Sequence, residues 1–98
     1  DFVILSNILE HIESRVEFLR ALRKIKSTSP QLKYLIRVPC RDRDWMTLYK
    51  IEKGIYWKLD ATHFTEYTQS EFEEELLSAG YKINSLNIRF GEIYAVCI

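Results

Sequence analysis

A strand–helix–strand pattern at the start of the chain limits the fold more than any other feature of the sequence. Phe2 to Leu5 is an uninterrupted apolar run, which is typical of a strand covered on both faces. A second strand is predicted at Leu32 to Val38 and ends at Pro39. Between them, apolar residues at spacings of three and four predict one helical stripe: Ile12, Val16, Leu19, Leu22 and Ile25. Strands joined by such a helix pair in parallel, so the pattern predicts an α/β fold.

Two helix starts and one helix end are indicated by residues that can satisfy free backbone groups. Ser14 and Glu17 have the spacing of a capping box, and Thr68 and Glu71 repeat it. Gly80 suits the left-handed residue that ends many helices.

The C-terminal part of the sequence predicts a hairpin. Lys82 to Phe90 alternates apolar and polar residues with one slip near Ser85, which indicates a bulge. A turn at Gly91 and a last strand from Ile93 to Ile98 require antiparallel pairing. The segment 40–62 is predicted to be a loop with one or two helical turns near Met46 to Ile51. The predicted order is therefore β-α-β-α-β-β.

Composition narrows the functions that this chain can have. Its 98 residues are enough for one small domain. Fourteen acidic and 14 basic residues give a net charge of zero, so neither nucleic acid nor an anionic membrane is expected as a partner. Two cysteines, Cys40 and Cys97, are few for a secreted domain of this size. We therefore expect free thiols and a cytoplasmic location.

Four phrases in order give the chain a family resemblance. They are Asp1 to Ile12, Leu35 to Pro39, Asp60 to Thr68, and Leu76 to Tyr81. Together they resemble class I S-adenosylmethionine-dependent methyltransferases, from the fourth strand of that fold to the seventh. The resemblance implies a Rossmann-like partial sheet, with residues 1–98 forming the C-terminal portion of the domain. It also implies S-adenosylmethionine as cofactor and methyl transfer to an unidentified acceptor by the intact protein.

One element of the family pattern is missing from these residues. In that family the cofactor site begins with a glycine-rich turn. This sequence has three glycines, Gly54, Gly80 and Gly91, and none of them forms such a motif. We therefore expect the N-terminal cofactor-binding half to be absent and the fragment to be inactive alone. Its first strand would be an open edge, through which the fragment could self-associate. A non-catalytic, methyltransferase-like binding or scaffold module is the alternative function.

The predicted site residues follow the ends of the predicted strands. Ser6 and Asn7 end the first strand and are predicted to border the cofactor crevice, although both residues also favour ordinary turns. The resemblance implies that His11 faces the active site as a proton acceptor or relay, and that His63 faces the substrate. Both are candidate catalytic residues. A zinc site formed by His11, His63, Cys40 and a carboxylate is conceivable, but no metal site is predicted, because no short ligand spacing is present.

Substrate contacts are predicted around the end of the second strand. Arg37, Arg41 and Arg43 cluster there and could clamp an anionic group of the substrate, while the neighbouring Asp42 and Asp44 are close enough to pair with these arginines instead. Trp45 and Tyr49 could cap an apolar acceptor or pack the loop.

Overall fold

The predicted strands form one four-stranded mixed sheet in the computed structural model, which describes residues 1–98. The strands are β1 (Phe2–Ser6), β2 (Lys33–Pro39), β3 (Ile83–Arg89) and β4 (Glu92–Cys97). The helices are α1 (Arg15–Arg23), α2 (Trp45–Glu52) and α3 (Gln69–Ser78), with 3-10 turns at Leu9–His11 and Lys24–Ser27.

The spatial order of the strands is β1-β2-β4-β3. β1 and β2 pair in parallel, with Leu5 opposite Ile36, as the strand–helix–strand pattern predicts. β4 lies between β2 and β3 and is antiparallel to both. The hairpin turns through Phe90 and Gly91, which have φ values of 54° and 74°. The register shifts between Ile83 and Ser85, so the predicted hairpin and its bulge are confirmed.

The core lies between one face of the sheet and helices α1 and α3. Tyr34 of β2 and Tyr81 after α3 are both buried, and their rings contact edge to face with centroids 4.8 Å apart. The Tyr34 hydroxyl donates to the Leu22 carbonyl at 2.8 Å, and the Tyr81 hydroxyl donates to the Leu19 carbonyl at 2.6 Å. These two bonds fix α1 over the sheet and satisfy polar groups that burial would otherwise penalise.

The opposite face of the sheet is open, so the prediction that Phe2 to Leu5 is covered on both faces is wrong for this chain. Phe2 and Ile4 are 60% and 63% exposed, whereas Leu5, on the other face, is buried. The reason is that both helices of the core lie on the Leu5 side. On the open side, Ile4, Leu35 and Val96 line a shallow groove of about 340 Å³. β1 is an edge strand, and self-association through it stays a prediction.

The helix boundaries confirm one capping box and correct the other. Thr68 and Glu71 form both reciprocal bonds of a capping box, and Gly80 has a φ of 89°. Ser14 precedes α1 but makes no side-chain cap. Its ψ of 66° departs from the extended conformation in which a capping side chain reaches the first turn.

The segment 40–62 contains a complete helix that the predicted order lacks. Asp44 caps α2 by accepting from the Thr47 backbone N–H at 2.8 Å. The observed order is therefore β-α-β-α-α-β-β. The longest helix, α3, has 10 residues, and no helix has the length and apolar character needed to cross a membrane.

The two thiols are predicted to react slowly in the folded chain. Cys40 and Cys97 are buried and free, and burial raises the pKa of each from its ordinary 9.0 to about 11. At pH 8 this lowers the thiolate fraction about 100-fold. Iodoacetamide labelling followed by mass spectrometry should therefore be at least that much slower in the folded chain than in urea. Labelling at the rate of free cysteine would contradict the burial of these groups.

The same pKa shift predicts a loss of stability at alkaline pH. The unfolded thiols release protons near pH 9, before the folded ones do, so the folded state binds more protons in that range. The free energy of unfolding should fall as pH rises from about 9 towards 11.

Candidate functional site

The candidate site lies beyond the C-terminal end of β1, where the 3-10 turn Leu9–His11 faces the loop that leads to α3. A short hydrogen bond joins the two segments: the Phe64 backbone N–H donates to the Glu10 carbonyl at 2.7 Å. This bond fixes His63 against the turn although the two lie more than 50 residues apart in the sequence. The end of β1 and the loop before α3 are therefore joined by the backbone itself.

Three side chains converge at this junction: those of Glu10, His11 and His63. One ligand-forming atom from each lies within 4.8 Å of those of the other two. His63 Nε2 is 3.9 Å from Glu10 Oε2, and the two imidazole rings meet edge to face with centroids 4.6 Å apart. His11 is exposed, whereas the other two side chains are buried, so the cluster opens to solvent on the His11 side.

The Glu10 side chain is buried although one of its carboxylate oxygens is unpaired. It is 1% exposed, and its Oε1 atom has no hydrogen-bond partner. Burial raises the pKa of this carboxyl above its usual value, and the Glu10 backbone N–H and the neighbouring histidines oppose that rise. Burying a carboxylate oxygen without a hydrogen-bond partner lowers the stability of the fold. The unpartnered Oε1 of Glu10 is therefore an oxygen that a ligand could bind.

The tautomer of His11 follows from its hydrogen bonds. His11 Nδ1 lies 2.9 Å from the Thr62 hydroxyl, which also lies 2.7 Å from a carboxylate oxygen of Asp60. An ionised carboxylate only accepts, so the single hydroxyl proton goes to Asp60 and Nδ1–H donates to Thr62. The lone pair of His11 is therefore on Nε2.

His63 is oriented in the same way by a carboxylate. Its Nδ1 lies 2.7 Å from Glu66 Oε2, and Arg43 Nη1 lies 2.5 Å from Glu66 Oε1. Nδ1–H of His63 therefore donates to Glu66, and the free lone pair on Nε2 faces Glu10.

The cluster has the donor set of a divalent-cation site. A carboxylate and two imidazoles with their lone pairs on Nε2 suit ions such as Mn²⁺, Co²⁺, Fe²⁺ or Zn²⁺. Ligands at about 2.1 Å from one ion can be at most about 4.2 Å apart, so binding would draw the three groups slightly together. The sequence predicts no metal site, because it has no short ligand spacing. The fold nevertheless brings these three side chains together.

The two predicted cofactor residues occupy the rim of the sheet. Ser6 ends β1 and borders the open-face groove. Asn7 has a φ of 55°, and its backbone N–H donates to the Arg37 carbonyl at 2.9 Å. Its side chain accepts from Arg37 Nε and donates to Glu92, each at 3.2 Å. Asn7 therefore links three chain segments at the rim, and its role in cofactor binding stays a prediction.

The arginines of the second strand end pair with glutamates. Arg37 lies 3.4 Å from Glu92, and Arg41 lies 2.7 Å from Glu71 of α3. The sequence allows these arginines to pair with the nearby aspartates, but in the structure they pair with glutamates instead. Asp44 instead caps α2. Arg37 and Arg41 remain partly exposed, so a substrate anion would have to compete with these glutamates.

Trp45 and Tyr49 lie one helical turn apart on α2 and do not pack the loop. They are 71% and 46% exposed, and their ring centroids are 6.5 Å apart. The packing alternative is thus wrong for both residues, and a substrate-binding role remains a prediction.

Sequence reasoning missed Glu10 and Glu66 as site residues. The sequence alone predicts no role at the site for either residue. The only sequence signal for either is position: Glu10 immediately precedes a candidate histidine, and Glu66 follows another by three residues. Acidic residues at such positions are common on surfaces, so burial had to be known before either could be selected.

The fold is methyltransferase-like. No protein-family model matches the chain, and no curated protein matches it. A crystal structure of the small RNA methyltransferase HEN1 superposes on it with a TM-score of 0.70 at 14% sequence identity. The superposition covers 99% of this chain and 14% of the HEN1 chain. At this identity the likeness defines the architecture, and it supports the methyltransferase resemblance of the sequence at that level.

Proposed function

We propose that this chain is the acceptor-side, C-terminal half of an S-adenosylmethionine-dependent methyltransferase domain in which Glu10, His11 and His63 bind a divalent cation. The observation that carries the proposal is the convergence of a buried carboxyl that has one unpartnered oxygen with two imidazoles, of which His63 points its Nε2 at Glu10. The methyltransferase-like fold supports the reaction class, and the position of the cluster beyond the C-terminal end of a parallel strand is where ligands bind in such sheets.

The chemistry that fits this cluster is methyl transfer to a hydroxyl oxygen. The acceptor oxygen attacks the methyl carbon, the carbon–sulfur bond breaks, the sulfonium becomes a neutral thioether, and the hydroxyl proton passes to solvent water, to which the cluster opens on the His11 side. A bound divalent cation would lower the pKa of a hydroxyl that it contacts. Glu10 and the two histidines would hold that cation, while the alignment of oxygen, carbon and sulfur supplies most of the remaining acceleration.

An RNA hydroxyl is the acceptor to test first, because HEN1 is a small RNA methyltransferase. The zero net charge argues the other way, since it gives phosphates little long-range attraction. Short-range recognition of RNA by the site itself would reconcile the two. A small hydroxylated metabolite is the competing acceptor.

Cation binding can be tested on the 98-residue chain by isothermal titration calorimetry with MnCl₂ at pH 7.5. We expect one site per chain and a rise in melting temperature with Mn²⁺ concentration. The absence of both effects at millimolar Mn²⁺ would overturn the metal site.

Catalysis requires the intact parent protein. There we expect transfer of a tritiated methyl group from S-adenosylmethionine to an RNA oligonucleotide, dependent on Mn²⁺ and lost when a DNA oligonucleotide of the same sequence, which lacks the ribose 2′-hydroxyls, replaces it. Failure of S-adenosylhomocysteine to bind at millimolar concentration would instead favour the non-catalytic scaffold function.

A further inference from the structure

The most completely bonded charged group of the structure lies behind the candidate cation site. Glu66 is 0% exposed, yet both of its carboxylate oxygens are used. Oε1 accepts from Arg43 Nη1 at 2.5 Å, and Oε2 accepts from the Leu59 backbone N–H at 2.6 Å and from His63 Nδ1 at 2.7 Å. A carboxylate removed from water is stable only with such a set of donors, and here three donors occupy both oxygens.

Arg43 extends this network to the segment after α2. Besides Glu66, it donates to the Cys40 carbonyl at 3.0 Å and to the Trp57 carbonyl at 2.7 Å. The aliphatic part of the Arg43 side chain also packs against the hairpin turn: a Cβ added at Gly91 would lie 3.1 Å from Arg43 Cβ. Arg43 therefore joins the end of β2, the hairpin turn and the segment 57–59 to one carboxylate.

We propose that Glu66, held by Arg43, is a positioning residue that fixes His63 as an Nε2 cation ligand. This inference rests on the cation site of the proposed function. The bond from His63 Nδ1–H to Glu66 determines both the tautomer and the direction of the ring, and it leaves the Nε2 lone pair facing Glu10.

The three hydrogen bonds that Glu66 accepts also predict that glutamine cannot replace it. The two oxygens of Glu66 receive three donors, from Arg43, Leu59 and His63, and no donor is required of it. A glutamine has one acceptor oxygen and one NH₂ group, so one end of its amide must oppose an existing donor. With its NH₂ towards His63, it would donate to Nδ1 and move the ring proton to Nε2, which removes the cation ligand.

The first test is made on the wild-type chain and needs no substitution. At pH 8 without metal, ¹⁵N–¹H correlation spectra of the imidazole rings distinguish the two neutral tautomers. We expect His63 to carry its proton on Nδ1. A predominant Nε2–H tautomer would overturn the inference, whether or not the chain binds a cation.

The second test measures Mn²⁺ affinity in the variants Glu66→Gln and Glu66→Asp. We expect the dissociation constant to rise 10- to 100-fold in Glu66→Gln, the usual range for the loss of an outer-shell partner, with a smaller rise in Glu66→Asp, which keeps an acceptor-only group. The matched control is Glu74→Gln, an exposed glutamate of α3, which should bind as wild type does.

These outcomes separate the two proposals. If wild type binds no Mn²⁺, the proposed function fails, and the tautomer measurement still decides the orientation of His63. If wild type binds Mn²⁺ and a folded Glu66→Gln variant, judged by circular dichroism, binds equally well, the positioning role of Glu66 fails alone. Should Glu66→Gln not fold, Glu66→Asp and the wild-type tautomer carry the test.

Discussion

Replacing Glu10 with glutamine is expected to abolish cation binding while leaving the metal-free chain as stable as wild type, or more stable. Glu10 is the only carboxylate among the three converging groups, and it is almost completely buried. Loss of an outer-shell partner weakens metal binding by about 10- to 100-fold. Glu10 would contact the ion directly, so its loss should raise the Mn²⁺ dissociation constant by about 100-fold or more.

The stability of this variant has a separate physical reason. Glu10 Oε1 has no partner, so the metal-free fold already bears the cost of a buried, unpaired carboxylate oxygen. A neutral amide left unpaired costs less, about 1–3 kcal/mol, than an unpaired charge. Removing the charge should therefore not lower the melting temperature in the absence of metal.

Calorimetry and thermal unfolding, each with and without MnCl₂, measure both effects. Glu13→Gln is the matched control, because Glu13 is exposed and only three residues away. It should keep the Mn²⁺-dependent rise in melting temperature that Glu10→Gln loses. A Glu10→Gln chain that is much less stable than wild type without metal would show that the carboxylate is structural.

Replacing Phe72 with alanine is expected to cause the largest loss of stability from a single substitution on α3. The ring is fully buried and meets Tyr67 edge to face, with centroids 5.1 Å apart. Removing a buried phenylalanine ring costs about 3–5 kcal/mol, because the cavity that it leaves is only partly filled. That is a large part of the roughly 5–15 kcal/mol by which small domains are stable.

Urea unfolding followed by circular dichroism gives the free energy of unfolding for this variant. Leu77→Ala on the same helix is the control, since Leu77 is 60% exposed and should change stability by no more than about 0.5 kcal/mol. A loss below about 1 kcal/mol in Phe72→Ala would mean that α3 does not pack on the sheet as the structure shows.

The predictions that succeeded concern signals carried by neighbouring residues. Thr68 and Glu71 bond to each other's backbone within one turn, so their spacing is sufficient to locate the start of α3. Gly80 and the hairpin turn are equally local. The capping box at Ser14 failed although its sequence is as favourable, because the backbone there adopts a ψ that local spacing does not determine.

The apolar run Phe2 to Leu5 shows a second limit of local patterns. It identified a strand and its parallel partner correctly, but whether a strand face is covered depends on what else packs there. In this chain α1 and α3 cover one face, and Phe2 and Ile4 lie exposed on the other.

The sequence by itself determined the elements of this protein and most of their order, because capping, glycine turns and apolar periodicity act between residues a few positions apart. Only the tertiary structure decided the site. Glu10 becomes a candidate ligand when the Phe64 N–H bonds its carbonyl and brings His63 within 3.9 Å, and Glu66 acquires a role when Arg43 neutralises it in the interior. Such contacts join residues far apart in the chain, and their energies depend on burial, which no local pattern of residue types records.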